Sequence, residues 1–499
     1  MRLIHIISSW VDNENEMPSS TGDENTYENL APNNGKPICR VRVPSADLIQ
    51  RALEASSLAF VGEWSKSSAL DRGDRLRAMA SVLRDQQDVF VEIEALDTGI
   101  PITQVRNNHI PAAIQTLEYY ASLVSTGLEG RILDVPHGGG HRDSFAYTRR
   151  EPLGVCVGIG AWNYPLTSMM WKIAPALACG NTVVYKPSEC TPMTAVRFAK
   201  ATSDCLPPNA LQVLVGDGRV AQQLIQHDKV RKVSLTGSVP TGQKVVQQAG
   251  LKRTTLELGG KSAILVFADA DIESSVRVVA QGNFVNNGQV CSNCTRVLVH
   301  RSILDTFLAK LVALVRRHTS MGDNMVESTN MGPVMMPPND PSGHFDGIMD
   351  IIRGAKEDPL VDLVEGGRGH QEDGAYFVEP TIFLSHSDGA DVVQKEIFGP
   401  VATVLAFDSE EEAIERANAT EFGLAAGVMT TDANRAHRVV KRLQAGVTYI
   451  NHWNLSPVEM PFGPSKLSGH GNELGPEALQ EYSQVKSVYV ETGSVDELW

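Results

Sequence analysis

The sequence predicts an α/β fold: a parallel sheet covered on both faces by helices, a second α/β unit after it, and β alternation outside both. Three observations predict it. From residue 151 to about 249, short apolar strands alternate with helical stretches, the pattern of a buried parallel sheet. The alternation starts again near Gly259. Two other stretches, 130–150 and 485–490, alternate with period two and leave no room for a helix.

In chain order, residues 12–36 are polar, rich in Asn, Glu, Ser and Gly, and are expected to be loose at the start. Helical patterns follow at 46–60, 71–97 and 111–126, with Asp71 the expected cap of the long one. The stretch GRILDVPHGGGHRDSFAYTRR (130–150) has glycines and alternation and no room for a helix. Strands come next at VCVGIG (155–160), TVVYK (182–186), LQVLV (211–215) and RKVSLT (231–236), with helices after them near 166–179, 192–205, 218–227 and 240–249. The second unit holds strand SAILVF (262–267), an amphipathic helix over 272–284, strand TRVLVH (295–300) and a helix over 302–317. Residues 337–375 carry Pro-Pro, Pro-Ser-Gly and Gly-Gly-Arg-Gly and read as surface loops. From Val401 the alternation resumes, with helices 410–419 and 432–445 beside strand GVMTT (427–431), and VKSVYV (485–490) closes the chain as an alternating strand.

Composition narrows the function. A length of 499 allows two or three domains and a large core. A net charge of −15 disfavours nucleic acid or an anionic membrane as partner. Seven scattered cysteines suggest no disulfide framework and point to a reducing compartment. No run of 18 apolar residues appears. The first ten residues lack the length and cleavage site of a secretory signal, and acidic residues at 12–28 disfavour a mitochondrial presequence, so a cytoplasmic location is expected.

Candidate site residues sit at strand ends. Ligands on parallel sheets bind at the carboxyl ends of strands. Trp162 and Asn163 follow the first strand, Lys186-Pro187-Ser188-Glu189 the second, Gly216-Asp217-Gly218 the third and Thr236-Gly237-Ser238 the fourth, with Gly242 inside the next helix. Gly216-x-Gly218 lacks the third glycine of a dinucleotide fingerprint and alone reads as a turn. Ser238 can cap its helix, whose N-terminus can hold a pyrophosphate. Glu257 ends a strand before two glycines, and Cys291 lies in the turn between helix 272–284 and strand 295–300, where Gly288 permits close backbone approach. A lone cysteine after a helix is usually a small core residue; the motifs around this one change the reading.

Those motifs are Trp162-Asn163-Tyr164-Pro165, Glu257-Leu258-Gly259-Gly260-Lys261, Asn287-Gly288-Gln289-Val290-Cys291 and Glu396-Ile397-Phe398-Gly399-Pro400. In order and spacing they resemble the aldehyde dehydrogenase superfamily, from about residue 30 to the C-terminus. The resemblance implies a parallel-sheet NAD-binding domain (1–130 and 150–258), an α/β catalytic domain (259–450, with return segment 451–478) and a β oligomerisation arm (131–149 and 479–499). It implies a homo-oligomer, tetramer or dimer, acting on a small-molecule aldehyde with NAD as cofactor and no metal. Cys291 is then the nucleophile, with the Asn163 amide and its own backbone N–H as oxyanion donors. Glu257 is the base for thioester hydrolysis; relatives that acylate coenzyme A generally lack this carboxylate. Lys172 and Glu473 match positions thought to relay protons or orient the amide. Trp162, Lys186, Ser188, Glu189, Gly216, Thr236, Gly237, Ser238, Gly242, Leu258, Glu396 and Phe398 fall at cofactor positions. There Lys186 and Glu189 grip the adenine ribose, Glu396 binds the nicotinamide ribose, and the Glu189 carboxylate repels a 2′-phosphate and so favours NAD over NADP.

Within the superfamily the chain is most similar to the betaine aldehyde and 4-trimethylaminobutyraldehyde dehydrogenases, in EPLGVCVGIGAWNYP (151–165) and SPVEMPFG (456–463). Tyr164 and Trp171 are seven apart and can share a helix side; Trp453, Glu459 and Phe462 come from the segment 449–462. Together they suggest an aromatic box for a quaternary ammonium group, with the plain lining of an apolar tunnel for neutral aldehydes as the alternative. Three places depart from the family: Cys294 and Pro464 each stand where Gly is usual, and residues 340–343 depart from the pattern expected there and are assigned no function. Cys294 is either a small buried residue or a redox partner of Cys291. A scaffold without activity should have lost Cys291, Glu257 or Asn163, and all three are present.

Overall fold

In the computed structural model the first sheet has eight strands, in the order Gly469–His470, Arg253–Glu257, Val230–Thr236, Val155–Ile159, Thr182–Lys186, Leu211–Val213, Trp10–Val11, Glu14–Asn15. The central pairings, from Arg253–Glu257 to Leu211–Val213, are all parallel. Val155–Ile159 and Thr182–Lys186 are buried along their whole length, as a sheet covered on both faces requires. The structure describes residues 5–11, 14–15, 25–135 and 143–493. Residues 12–13 and 16–24 of the polar stretch, and arm residues 136–142 and 494–499, lie outside them.

The helices between these strands begin where local chemistry permits. Pro165 opens Pro165–Ala178, because the first turn needs no N–H from it. Ser238 caps Val239–Ala249 by accepting from the Thr241 N–H. The seven-stranded second sheet runs Val361–Glu365, Thr381–Ser385, Val401–Phe407, Arg296–His300, Ala263–Val266, Ala425–Met429, Val447–Ile450. It is parallel except at its first pair. The third sheet pairs Ser483–Val490 with Phe145–Pro152, and that strand with Ile132–Asp134, all antiparallel. Its root is tied to the first sheet by Asn181, whose Nδ2 donates to Tyr482 O (2.7 Å) while its Oδ1 accepts from the Leu153 and Gly154 N–H groups.

Two expectations need correction. The helix over 71–97 is two helices, Ala69–Asp85 and Gln87–Thr98, with Gln86 outside helical backbone (φ −109°, ψ 20°) and its side chain accepting from Arg197 (2.6 Å). The cap is Ser68, which accepts from the Asp71 N–H; Asp71 lies inside the first turn. Residues 337–375 are not only loops. They contain the helix Gly343–Glu357, which buries Ile348, Ile352 and Ala355, and strand Val361–Glu365. The turn residues that suggested loops flank this helix. Among the described residues no helix is long and apolar enough to cross a membrane.

Candidate active site

Cys291 sits where the spacing put it, after helix Ile272–Phe284 and before strand Arg296–His300. The helix ends in a tight turn, Val285–Gly288, with Asn286 (φ 59°) and Asn287 (φ 56°) in the left-handed region. Gly288 must be glycine: a Cβ there would lie 2.3 Å from Gly399 and Pro400 backbone atoms. The turn is pinned from outside. The Asn287 Nδ2 donates to Gly99 O (3.0 Å) and Pro333 O (2.9 Å), and its Oδ1 accepts from the Gly332 N–H (2.8 Å).

The Cys291 side chain is half-buried and packs against the core of the second unit. Burial pushes the thiol up to about 12, and the charges of Glu396 and Glu257 push the same way. The backbone N–H groups of Cys291 and Ser292 pull it down. Asn163 is buried beside this turn, its Nδ2 donating to Gln289 O (2.9 Å). Glu257 is the last residue of its strand, 3% exposed, and neither carboxylate oxygen has a hydrogen-bond partner. Burial holds its pKa well above the ordinary carboxylate value; Glu473 raises it further and Lys172 lowers it. Lys172 and Glu473, which the sequence alone could leave as a surface ion pair, are buried and joined at 2.9 Å. Lys172 also donates to Thr236 Oγ1 (2.8 Å), and Ser234 donates to the shared Glu473 oxygen (2.8 Å).

On the other side of the thiol, Glu396 Oε1 accepts from the Gly260 N–H (3.0 Å), and a Cβ on Gly259 would lie 2.1 Å from Glu396 Oε2. Burial raises Glu396 to about 7. Trp162 and Phe398 meet edge to face at 5.2 Å, and His344, from the helix missed in the sequence, joins them at 5.3 Å from Trp162. Lys186 is buried and reaches Pro187 O (3.0 Å) and Glu189 (3.5 Å), while the Ser188 hydroxyl accepts from the Cys190 N–H (3.2 Å). A Cβ on Gly242 would lie 2.5 Å from Leu258 Cδ1, so glycine lets the helix close on that side chain. Gly216 has φ 135°, and Asp217 after it caps Gly218–Gln226.

The aromatic residues divide. Trp171 packs on Phe462 at 5.2 Å, and Tyr164 packs on His109 at 4.4 Å. Burial raises both Tyr164 and Tyr449, and Cys291 raises each further, which places these two phenols near the thiol; Tyr449 was not anticipated. Trp453 does not stand as an open wall of a box. It is 1% exposed, its Nε1 donates to Ser292 O (2.9 Å), and Gly282 and Gly427 leave room for its ring. It therefore braces the Cys291 turn. Glu459 is exposed and faces Tyr119, whose pKa burial raises first and Glu459 next. Cys294 is fully buried, with the Asn283 Nδ2 at 3.4 Å, the small-residue reading. Sequence reasoning also missed Glu94, Gln104, His109 and Asn286, whose polar side chains meet only through the fold.

The aldehyde dehydrogenase family profile matches residues 19–488. The chain is 45% identical over 472 residues to a betaine aldehyde dehydrogenase of Brucella anthropi, covering 94% of each protein. It is 43% identical to the Brucella ovis enzyme of the same name, also covering 94% of each. Among solved structures it resembles betaine aldehyde dehydrogenase from Staphylococcus aureus in complex with NAD+ (33% identity, TM-score 0.92, covering 99% of this chain and 96% of that one). An NAD-dependent aldehyde dehydrogenase from Sinorhizobium meliloti matches at 31% identity and TM-score 0.93, covering 99% of this chain and 97% of that one. With matches of this length and identity on top of the motifs and the site they build, the chain belongs to the aldehyde dehydrogenase family.

Proposed function

We propose that the protein oxidises an ω-trimethylammonium aldehyde, of the betaine aldehyde or 4-trimethylaminobutyraldehyde type, to the carboxylic acid with NAD. The observation that carries the oxidation is the pairing of a half-buried thiol, Cys291, with a buried carboxylate free of hydrogen bonds, Glu257, beside the Asn163 amide. A carboxylate left without partners in a core costs stability and serves a reaction better than packing.

Attack by the Cys291 thiolate on the aldehyde carbon gives a thiohemiacetal oxyanion. The Asn163 Nδ2 and the Cys291 N–H are the donors for it, and losing one such donor costs roughly 3 kcal/mol. The chemistry NAD supplies when bound is hydride acceptance. The residues fit that cofactor. The Ser238 helix start lies at a strand carboxyl end, on the same edge of the sheet as Lys186, Ser188 and Glu189, and Glu396 faces Gly259 and Gly260. Oxidation leaves a thioester on Cys291. Glu257 then takes a proton from water, which attacks the thioester, and the acid leaves. The buried Lys172–Glu473 pair gives that proton a route away from Glu257. We assign domains 1–130 with 150–258, and 259–450, to cofactor and catalysis. The 131–149 and 479–499 arm is assigned to assembly of a homo-oligomer in the cytoplasm.

Substrate choice rests on the Trp171–Phe462 pair with Tyr164, and on relatives that are betaine aldehyde dehydrogenases. A quaternary ammonium cannot donate hydrogen bonds, and aromatic faces attract it by about 0.5–2 kcal/mol per ring. The wild type should prefer the charged aldehyde over a neutral one of equal length in kcat/KM. Trp171→Ala should cut that preference by roughly tenfold, while Trp453→Ala should impair both substrates alike. Equal kcat/KM for the two aldehydes in the wild type would leave only a neutral tunnel.

Glu189 sets the cofactor preference. Its side chain is 38% exposed, enough to meet a ribose. Glu189→Ala should lower the NAD/NADP ratio of kcat/KM by roughly tenfold, about 1.4 kcal/mol of lost repulsion toward a 2′-phosphate. An unchanged ratio would make Glu189 an ordinary turn residue.

A further inference from the structure

Behind Asn163 runs a buried chain of polar side chains from three separate parts of the sequence. Glu94, in helix Gln87–Thr98, places Oε1 2.8 Å from His109 Nδ1, and its Oε2 accepts from the Leu166 N–H (3.1 Å). His109 closes the π-helical turn Val105–His109, and its Nε2 lies 3.0 Å from Asn286 Oδ1. Asn286 Nδ2 donates to Asn163 O (3.2 Å) and to Gln289 O (3.3 Å). Gln289 O is also the acceptor of the Asn163 amide (2.9 Å). One carbonyl therefore holds both amides. Glu94, His109 and Asn286 are each at most 2% exposed, so water does not substitute for any of these partners.

Hydrogen-bond valence decides where the protons are. Both N–H groups of the Asn286 amide are spent on carbonyls, so its oxygen is the end that meets His109. An amide oxygen only accepts, so His109 Nε2 carries a proton. The Nδ1–Oε1 contact needs one further proton, on imidazole or on carboxyl. The other tautomer, with Nε2 bare, would set two lone pairs against each other at 3.0 Å. Asn286 would then turn over and withdraw its N–H groups from Asn163 and Gln289.

We propose that His109 is a positioning residue for the oxyanion amide: held by Glu94, it fixes Asn286, which fixes Gln289 O and the Asn163 side chain. The same ring packs on Tyr164 at 4.4 Å, so one side chain steadies both the donor and a wall of the substrate pocket. This rests on the aldehyde-oxidation reading above, and goes beyond it in giving a role to a histidine that touches no substrate. Misplacing an oxyanion donor costs a large part of its effect, which is about 10²–10³ in kcat when the donor is removed.

The test separates tautomer control from packing. In His109→Gln the longer amide can still donate to Asn286 but leaves Glu94 without a donor. In His109→Asn the shorter amide can reach Glu94 but not Asn286. His109→Asn should lose roughly ten- to a hundredfold in kcat for aldehyde oxidation, with the Kd for NAD within about twofold of wild type. His109→Gln should keep at least about threefold more kcat than His109→Asn. In an Asn163→Ala background, His109→Asn should change kcat by less than about twofold, since both act through one amide. Equal losses in the two single variants, or a full multiplicative loss in the Asn163→Ala background, would overturn the proposal. A wild type that oxidises no aldehyde at all would instead overturn the reading of the site. Neutron diffraction of the wild type needs no variant: a deuteron on His109 Nε2 is expected, and a bare Nε2 overturns the proposal.

Discussion

Cys291→Ala is expected to lose aldehyde oxidation by on the order of 10³-fold or more, with NAD affinity within about twofold of wild type. The loss is large because no other thiol can take its place. Cys294, three residues on, is fully buried under the Gly282 carbonyl, 3.6 Å from its sulfur, and cannot reach a substrate held by Asn163. The wild-type thiol has its own signature. In the cofactor-free protein burial and the charges of Glu396 and Glu257 hold it up to about 12, so at pH 7 it is almost wholly protonated. Only the thiolate is alkylated. Inactivation by iodoacetamide should therefore be slow at neutral pH and rise about tenfold per pH unit through pH 10. Turnover of Cys291→Ala within tenfold of wild type would refute the nucleophile. A plateau in the alkylation rate below pH 8 would refute the enclosed, charge-disfavoured environment.

Glu257→Gln is expected to keep the first turnover and lose the later ones. The amide cannot take a proton from water, so the thioester forms and persists. A pre-steady-state burst of NADH should be followed by a steady rate reduced by about 10²–10⁴-fold. Stability should move the other way. The folded-state pKa of Glu257 is raised, chiefly by burial. The folded protein therefore keeps a proton that the unfolded chain releases above about 4.3. By linkage, wild-type stability falls as pH rises from that value to the folded pKa, and stays lower beyond it. Glu257→Gln removes this penalty, so at pH 8 the variant should unfold at least about 2 °C above wild type, and near pH 4 the two should converge. A variant both slower and less stable at pH 8 would make Glu257 a structural residue.

Gain of stability with loss of turnover also describes what the sequence could and could not reveal. The Val155–Ile159 and Thr182–Lys186 strands were legible because burial on both faces demands continuous apolar runs, and these are local in sequence. The helix Gly343–Glu357 was obscured because prolines and glycines crowd its start, although its buried Ile348, Ile352 and Ala355 keep helical spacing. The break at Gln86 left no mark, since a side chain 111 residues away, Arg197, holds it.

The sequence by itself determined the alternating α/β framework, the strand ends that carry Asn163, Glu189 and Glu257, and the turn that carries Cys291. Each follows from short-range periodicity, glycine placement or a compact motif. Only the tertiary structure decided that Lys172 and Glu473 are a buried pair and that Glu257 has no hydrogen-bond partner. It also moved Trp453 into the brace behind the turn and joined Glu94, His109 and Asn286 into one chain. The physical reason is common to all four. Burial and hydrogen-bond partnership are set by which distant segments meet, and a desolvated charge or a histidine tautomer has no period in the sequence by which to be read.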